Sequence, residues 1–253
     1  MHNSKNNLAI CLSILVLNSC AHAMDKTLSP PSDNQWINVE VKNPSRYTKP
    51  FPLEVTYISH KCLKDRTSGF DGASVIEPGY NGIKIPLQQQ GNSDVWSARV
   101  ALNGGGSCSW TLSEFNVGIE YIDATHLRKD LVPGNAAGVT IAFDNDASRN
   151  GQFTFVKGDV NLTPQYYPYI REKRLGGVAN TLSFLGEKDF LSIRTEGANN
   201  VIFSPKLDER KVVRFIGVEK KVKGVYPKII YPDGSLAPEK TLLPDFDTVD
   251  KME

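Results

Sequence analysis

Histidine, the side chain that most often acts as a general acid or base in enzymes, is scarce in this sequence. Four of its 253 residues are histidines. His60 and His126 are the two in the body of the chain, so a Ser-His-Asp hydrolase would have to use one of them. The run GGGSCS resembles a nucleophile turn, but Ser109 stands where the G-x-S-x-G pattern needs its second glycine. We interpret the run as a glycine-rich hairpin. Since no phosphate loop or dinucleotide fingerprint is present either, we predict that the chain is not an enzyme.

The sequence also lacks an excess of charge of either sign. It has 29 basic and 28 acidic side chains, and one of the basic residues, Lys5, belongs to the N-terminal leader described below. A nucleic-acid-binding protein usually has a net basic face, and a polybasic membrane-surface protein needs the same. The balance argues against both classes, and we predict no nucleic-acid partner.

Metal-binding patterns are incomplete. Asp144, Asp146 and Ser148 have the spacing of the first three ligands of a calcium-binding EF-hand loop. The sixth position has Arg149 instead of glycine, and the twelfth has Phe155 instead of glutamate. The H-x-C pattern at residues 60–62 offers only two of the four ligands of a structural zinc site. We therefore predict a polar hairpin at residues 144–151, with no metal and no cofactor.

Long hydrophobic runs are absent as well. Residues 8–17 (LAICLSILVL) form a mostly apolar run of ten residues, about half the length that a membrane-spanning helix needs. The run follows a polar start that contains Lys5, and small residues follow it. This is the pattern of a secretory signal, and we predict a signal peptide over residues 1–19.

Two cleavage sites are compatible with this leader. Residues 17–20 (LNSC) resemble the lipobox of bacterial lipoproteins, although Asn18 departs from its usual small residue. The alternative is the A-x-A site that ends at Ala23, which would release a soluble periplasmic protein. We favour cleavage before Cys20 and attachment of palmitate and related acyl chains there. In the sorting pattern of enterobacterial lipoproteins, Ala21 after the cysteine implies the outer membrane, with the protein on its periplasmic face.

Cysteine is scarce, with four residues in the chain. Cys11 would leave with the signal peptide, and Cys20 would be acylated. Cys62 and Cys108 remain, and a pair of cysteines in an oxidising compartment is most simply a disulfide. By chain-entropy arithmetic such a bond stabilises the fold by roughly 4 kcal/mol at most.

Apolar and polar residues alternate with a period of two through much of the chain. Such segments occur at residues 37–41, 53–57, 83–87, 96–102, 108–112, 117–122, 139–143 and 152–156. This period is typical of half-buried strands. Asn-Gly and Asp-Gly pairs, such as residues 71–72, 81–82 and 233–234, are typical of tight turns. The sequence therefore predicts a mainly β fold, with an antiparallel β-sandwich-like body and one disulfide.

Composition divides the chain further. Residues 20–35 are polar and contain two prolines, which predicts a lipid anchor with a flexible tether. Residues 36–160 form the sandwich-like domain, and residues 161–237 form a second, smaller β-rich unit, although one domain or two is left open. The best helical candidate is residues 165–174, where Pro168 weakens the pattern. Residues 238–253 are predicted to be a loose tail.

One stretch has the composition of a binding site. It contains Tyr166, Tyr167 and Tyr169, followed by Arg171 and Arg174. Tyrosine and arginine are enriched at the centres of protein interfaces. We predict that these five residues bind a protein partner, and the alternative is ordinary packing of a linker against the domain.

The LNSC motif, the proline-containing tether, the single cysteine pair and a β-rich body of this size together resemble one family. They are similar to immunity lipoproteins that protect Gram-negative bacteria against phospholipase effectors of type VI secretion. The resemblance implies a periplasmic domain that binds an incoming toxic phospholipase and occludes its active site. The same features fit a structural or assembly lipoprotein of a cell-envelope machine, whose partners would be proteins of the same cell.

Overall fold

The computed structural model describes residues 24–147, 152–172, 179–188 and 190–253. The predicted signal peptide, Cys20 and Arg174 lie outside these residues. The described part forms nineteen β-strands and one short helix, so the predicted mainly β fold is confirmed. No helix within it is long and apolar enough to span a membrane.

Ten strands come from the first part of the chain: β1 (Trp36–Lys42), β2 (Thr48–Pro50), β3 (Leu53–Thr67), β4 (Ser74–Ile85), β5 (Gln88–Gln89), β6 (Val95–Ala101), β7 (Asn103–Gly105), β8 (Trp110–Tyr121), β9 (Leu131–Pro133) and β10 (Ala137–Ala142). The others are β11 (Thr154–Lys157), β12 (Val160–Leu162), β13 (Gln165–Glu172), β14 (Asn180–Leu185), β15 (Phe190–Glu196), β16 (Asn200–Phe203), β17 (Lys206–Leu207), β18 (Val213–Ile216) and β19 (Lys228–Ile230), followed by the helix α1 (Phe246–Asp250).

These strands form three sheets. The largest has the order β11-β15-β10-β8-β3-β4, with β2 and β7 also paired to β8. The second has the order β12-β16-β1-β6-β5. The third, which we call the C-terminal sheet, has the order β19-β18-β13-β14-β9, with β17 beside β13.

The first two sheets enclose the main core. Strand β1 buries Ile37, Val39 and Val41, and strand β8 buries Trp110 and Phe115 in the same cluster. The predicted alternation therefore corresponds to one buried face on each sheet. On β8 the buried positions change from even to odd numbers, because a bulge interrupts its pairing with β3.

The two predicted β units share these sheets. Strand β16 pairs in parallel with β1, β15 pairs in parallel with β10, and β14 pairs in parallel with β9. The boundary predicted at residue 161 therefore does not separate two sheets, and the main core contains residues from both sides of it.

Residues 24–30, predicted to be part of a flexible tether, lie against the largest sheet. Trp110 Nε1 donates to the carbonyl of Asp25 at 3.1 Å, and Asn81 Nδ2 donates to the carbonyl of Lys26 at 2.8 Å. The backbone N–H of Ser29 donates to a carbonyl of β7 at 2.8 Å. Hydrogen bonds to backbone carbonyls leave no apolar pattern in the sequence, so the prediction missed this docking.

The C-terminal residues, predicted to be a loose tail, also pack on the fold. Asp245 caps helix α1, because its carboxylate accepts from the backbone N–H of Thr248 at 3.2 Å. Val249 in this helix is fully buried, in a second hydrophobic cluster on the C-terminal sheet. Residues 246–252 are therefore part of the folded protein.

Cys62 and Cys108 form the predicted disulfide, with a Cα–Cα distance of 5.3 Å. Some of the predicted tight turns are observed and others are not. Gly72 and Gly234 have φ values of +73° and +85°, as tight turns require. The Asn-Gly pair at residues 81–82 lies inside β4 instead.

A glycine pair where β8 meets β10 provides a stability test. Gly118 lies opposite Gly138, and a Cβ at Gly118 would lie 2.6 Å from the Cα of Gly138 and 2.8 Å from the ring of Phe51. We expect Gly118→Ala to lower the free energy of unfolding by about 1–3 kcal/mol, because overpacking displaces the neighbouring strand. Urea unfolding at equilibrium measures this change.

The matched control is Gly82→Ala on β4. A Cβ there meets no atom within 4 Å, and alanine restricts the unfolded chain more than glycine does. We expect the control to be neutral or to stabilise by about 0.5–1 kcal/mol. Equal destabilisation by the two substitutions would contradict the packing argument.

Candidate partner-binding site

The residues predicted to bind a partner lie on or beside strand β13. Tyr166, Tyr167 and Tyr169 are buried, and Arg171 is half-buried, whereas Arg174 lies outside the described residues. The burial of the three rings agrees with the alternative interpretation, ordinary packing. A partner could reach them only by displacing the elements that cover them, so a binding site here has to be built from their neighbours.

Strand β13 is covered on both faces. Tyr166 and Ile170 belong to the main core, whereas Tyr167 and Tyr169 belong to the smaller cluster of the C-terminal sheet. Successive side chains of a strand point to opposite faces, so both faces here need apolar residues. The segment therefore shows no alternation, which is why its sequence suggested a short helix over residues 165–174 instead of the observed strand.

Helix α1 covers one face of this strand. The hydroxyl of Tyr167 donates to Asp250 Oδ1 at 2.5 Å, and its ring lies 5.8 Å from that of Phe246. Burial raises the pKa of Tyr167, and the Asp250 carboxylate raises it further. The phenol therefore stays protonated at neutral pH and keeps its role as the donor that holds the helix.

A cleft of about 290 Å³ opens beside the same strand. Its lining includes Tyr169 and Arg171 from β13, and Leu243 and Pro244 from the segment before α1. The guanidinium of Arg171 lies 5.9 Å from the ring centre of Tyr169 and 5.8 Å from that of Phe215. These cation–π contacts orient the side chain, so the cleft combines an oriented cation with a lining that is partly apolar and partly polar.

A second groove, of about 400 Å³, is lined by residues 224–229 and 236–239. Large apolar side chains are exposed in this part of the chain, and Leu242 and Leu243 are 66% and 70% exposed. We call the following residues the C-terminal face: Val222, Val225, Tyr226, Leu236, Leu242 and Leu243. The sequence prediction missed them because a leucine pair within a polar, proline-containing tail resembles no binding motif.

Lysines surround the C-terminal face. Residues 219–240 contain five lysines and three acidic residues, and Lys240 Nζ lies 5.9 Å from the ring centre of Tyr226. An apolar surface with a basic rim favours a partner that has apolar residues inside an acidic rim. Complementary charge of this kind mainly increases association rate and specificity.

The two histidines do not form a catalytic arrangement with the groups that contact them. His126 stacks on Tyr47 with ring centres 3.7 Å apart. Its Nδ1 lies 2.9 Å from the carbonyl of Asp123, and its Nε2 lies 3.2 Å from Glu209 Oε1. Each ring nitrogen thus faces an acceptor, and the nitrogen that would take a proton from a serine is occupied by a carboxylate. His60 is exposed, with Nε2 3.5 Å from an Asp146 oxygen.

The described residues contain no group of three or more histidine, cysteine, aspartate or glutamate side chains placed to hold a metal ion. The C-terminal face and the cleft of Arg171 have features suited to recognition: apolar contact area, a basic rim and one oriented guanidinium. We therefore treat the C-terminal face and the adjoining cleft of Arg171 as the candidate site.

Glu172 fixes the strand that supports this site. Its Oε1 accepts from Arg128 Nη1 at 2.9 Å and from Arg214 Nη2 at 2.6 Å. Burial alone would raise the pKa of Glu172, but hydrogen bonds from Arg214 and Arg128 outweigh it and hold this pKa below its ordinary value. The carboxylate thereby joins β13 to β18 and to the loop before β9.

We expect Glu172→Gln to lower the free energy of unfolding by about 1–3 kcal/mol at neutral pH, because two charge-assisted hydrogen bonds lose their charge. A carboxyl whose pKa is depressed in the folded state stabilises the protein above its unfolded pKa, and this contribution is lost as the pH falls. The difference between wild type and variant should therefore shrink in acid. Urea unfolding at a series of pH values measures it.

The exposed Glu239→Gln serves as the charge-matched control and should leave stability unchanged within about 0.5 kcal/mol. A Glu172→Gln effect that stayed constant down to acid pH would show that the carboxylate charge is not what stabilises the strand.

Comparisons with known proteins assign this chain to no family. No protein-family model matches it, and neither a curated protein nor a solved structure matches it. The contacts described above are therefore the basis on which its function has to be inferred.

Proposed function

We propose that this chain is a lipid-anchored binding protein of the periplasm, attached through Cys20 to the outer membrane, and that it binds and neutralises a toxic phospholipase-type effector. The observation that carries the proposal is the C-terminal face, with its exposed apolar side chains and basic rim. Exposed apolar residues are ordinary when scattered, but several on neighbouring loops favour a protein-binding surface.

The position of the leucines in the fold supports this proposal. Leu242 and Leu243 precede helix α1, which the buried Val249 and the hydrogen bond of Tyr167 hold on the C-terminal sheet. The loop that carries them is therefore anchored at its C-terminal end. Such a surface loses little conformational entropy on binding, which favours affinity.

The chemistry of a phospholipase supports the choice of partner. An enzyme that hydrolyses phospholipids has to accommodate acyl chains, so an apolar groove leads to its active site. Exposed leucine, valine and tyrosine side chains fit such a groove and would exclude the substrate. A stable complex of this kind buries about 1,600 Å² in total, with a few residues providing most of the free energy.

The first test is a co-culture experiment. A strain that lacks the gene is grown with its parent, once with a working contact-dependent secretion system and once with that system disabled. We expect the mutant to die only beside the armed parent and the cloned gene to rescue it. Survival in both cultures would contradict immunity and would favour the alternative, a structural or assembly lipoprotein with a partner in the same cell.

A substitution tests the surface itself. We expect the double variant Leu242→Asp with Leu243→Asp to lose rescue in this assay, because two buried carboxylates would face an apolar partner and weaken binding by several kcal/mol. Protein amount in the membrane fraction and thermal unfolding should stay at the wild-type level, since both side chains are exposed.

The matched control is Ile122→Asp, which changes an exposed apolar residue that is 55% accessible outside the C-terminal face. We expect this control to rescue fully. If the control and the double variant rescue equally well, the partner binds elsewhere on the protein.

A further inference from the structure

One β-ribbon extends past the largest sheet. Strand β3 pairs with β8 only as far as Ile58. Beyond that residue β3 and β4 pair with each other, from Leu63 opposite Pro78 to Thr67 opposite Ser74. We call residues 63–78 the ribbon. Five residue pairs at about 3.4 Å each make its paired part roughly 17 Å long.

The base of the ribbon is fixed covalently. The pairing of β3 with β4 is interrupted between Ser59 and Leu63, and Cys62 in this irregular stretch is bonded to Cys108. Ser59 Oγ donates to the carbonyl of Cys108 at 2.5 Å and accepts from the backbone N–H of Cys62 at 2.9 Å. The ribbon therefore leaves the sheet in a set direction.

The two faces of the ribbon differ in chemistry. Residues directly opposite each other in an antiparallel pair share a face. Lys64 lies opposite Glu77, and the Glu77 carboxylate binds Lys64 at 3.1 Å and Arg66 at 3.0 Å. The other face carries Leu63, which is 52% exposed, and Ile76, which is 66% exposed, together with Asp65, which lies opposite Ile76.

The tip of the ribbon is apolar as well. Phe70 in the turn between β3 and β4 is fully exposed. The ribbon contains two basic and three acidic side chains, so its net charge is −1. The exposed side chains of Phe70, Leu63 and Ile76 fit a hydrocarbon environment, and a negative net charge gives the ribbon no attraction to anionic lipid headgroups.

The N-terminal segment leads toward this ribbon. The carbonyl of Lys26 accepts from Asn81, and the side chain of Met24 packs over Gly79. Followed backward from Lys26 to Met24, the segment thus moves along β4 in the direction of the tip. Three residues separate Cys20 from Met24, and the four Cα–Cα steps between the two can span at most about 14 Å.

We propose that the ribbon inserts Phe70, Ile76 and Leu63 into the phospholipid bilayer that holds the acyl chains on Cys20. This inference rests on the lipid attachment of the proposed function. The short connection keeps the ribbon close to the bilayer, so insertion becomes an intramolecular event at high effective concentration. Transfer of each large apolar side chain from water into hydrocarbon is favourable. Attachment at Cys20 and insertion at Phe70 together orient the protein.

The test uses the mature chain, residues 20–253, with Cys20 joined to a maleimide phospholipid. Cys62 and Cys108 are in a disulfide and do not react, and the result does not depend on acylation in the cell. Phe70→Trp reports on the ribbon, Leu242→Trp reports on an exposed position of the C-terminal face, and the wild type provides the background of its three tryptophans. Each protein is attached to phosphatidylcholine vesicles with and without brominated acyl chains.

We expect brominated lipid to quench the added emission of Phe70→Trp, and that emission to shift to shorter wavelength, with no change for Leu242→Trp. Adding phosphatidylglycerol should not strengthen the quenching, since the net charge of the ribbon is −1. An unquenched Phe70→Trp, or equal quenching of both variants, would overturn the proposal.

The co-culture assay is a separate readout. If quenching is absent but the protein still protects cells, the ribbon insertion is refuted and the proposed immunity function is not. Quenching in a protein that does not protect refutes immunity and supports the insertion. The double substitution Phe70→Asp with Ile76→Asp checks the assignment in a protein that also carries Leu63→Trp. We expect brominated lipid to quench the added emission of Leu63→Trp alone, but not its emission once both aspartates are present. Thermal unfolding should be the same in the two proteins.

Discussion

The burial of strand β13 on both faces is the constraint on which the rest of this structure depends. Its even-numbered side chains complete the main core, and its odd-numbered side chains organise the small cluster that holds helix α1. A strand in this position has to be apolar on both sides, which accounts for the tyrosines that were predicted to bind a partner. They support the proposed binding site indirectly, because they position the cleft of Arg171 and the loop of Leu243.

Local alternation predicted the strands of the main sandwich well. Segments such as residues 37–41 and 96–102 bury one face against a core, so their pattern contains the information that assigns them. The disulfide was predictable too, since only two cysteines remained once the leader was set aside. Alternation within a segment does not show which other strand that segment pairs with. The parallel pairing of β1 with β16 and of β10 with β15 joins segments more than 45 residues apart, and it merges the two predicted β units into shared sheets.

Two further differences between prediction and structure have one physical cause. Backbone hydrogen bonds and single buried residues leave no periodic trace. Residues 24–30 are held by the side chains of Asn81 and Trp110 on their carbonyls, and the C-terminal residues are held by Val249 and by one phenol–carboxylate bond. Both segments are polar and contain or adjoin proline, so composition suggested a tether and a tail. The exposed leucines of the C-terminal face were overlooked for a different reason, because a leucine pair within a polar, proline-containing tail resembles no binding motif.

Two exposed apolar regions remain once the cores are filled, and their construction differs in a way that bears on their partners. The ribbon is an antiparallel pair fixed at its base by a disulfide, with exposed apolar side chains on one face and at its tip and a net charge of −1. A bilayer has no particular shape to recognise, so such an element needs only direction and apolar area. The C-terminal face is built from loops, with grooves, an oriented arginine and lysines at its rim. Shape and charge of this kind matter for a protein partner, where complementarity determines specificity. A phospholipase acts at the bilayer surface, so a binder that is attached to that surface at two points would meet the enzyme where its substrate lies.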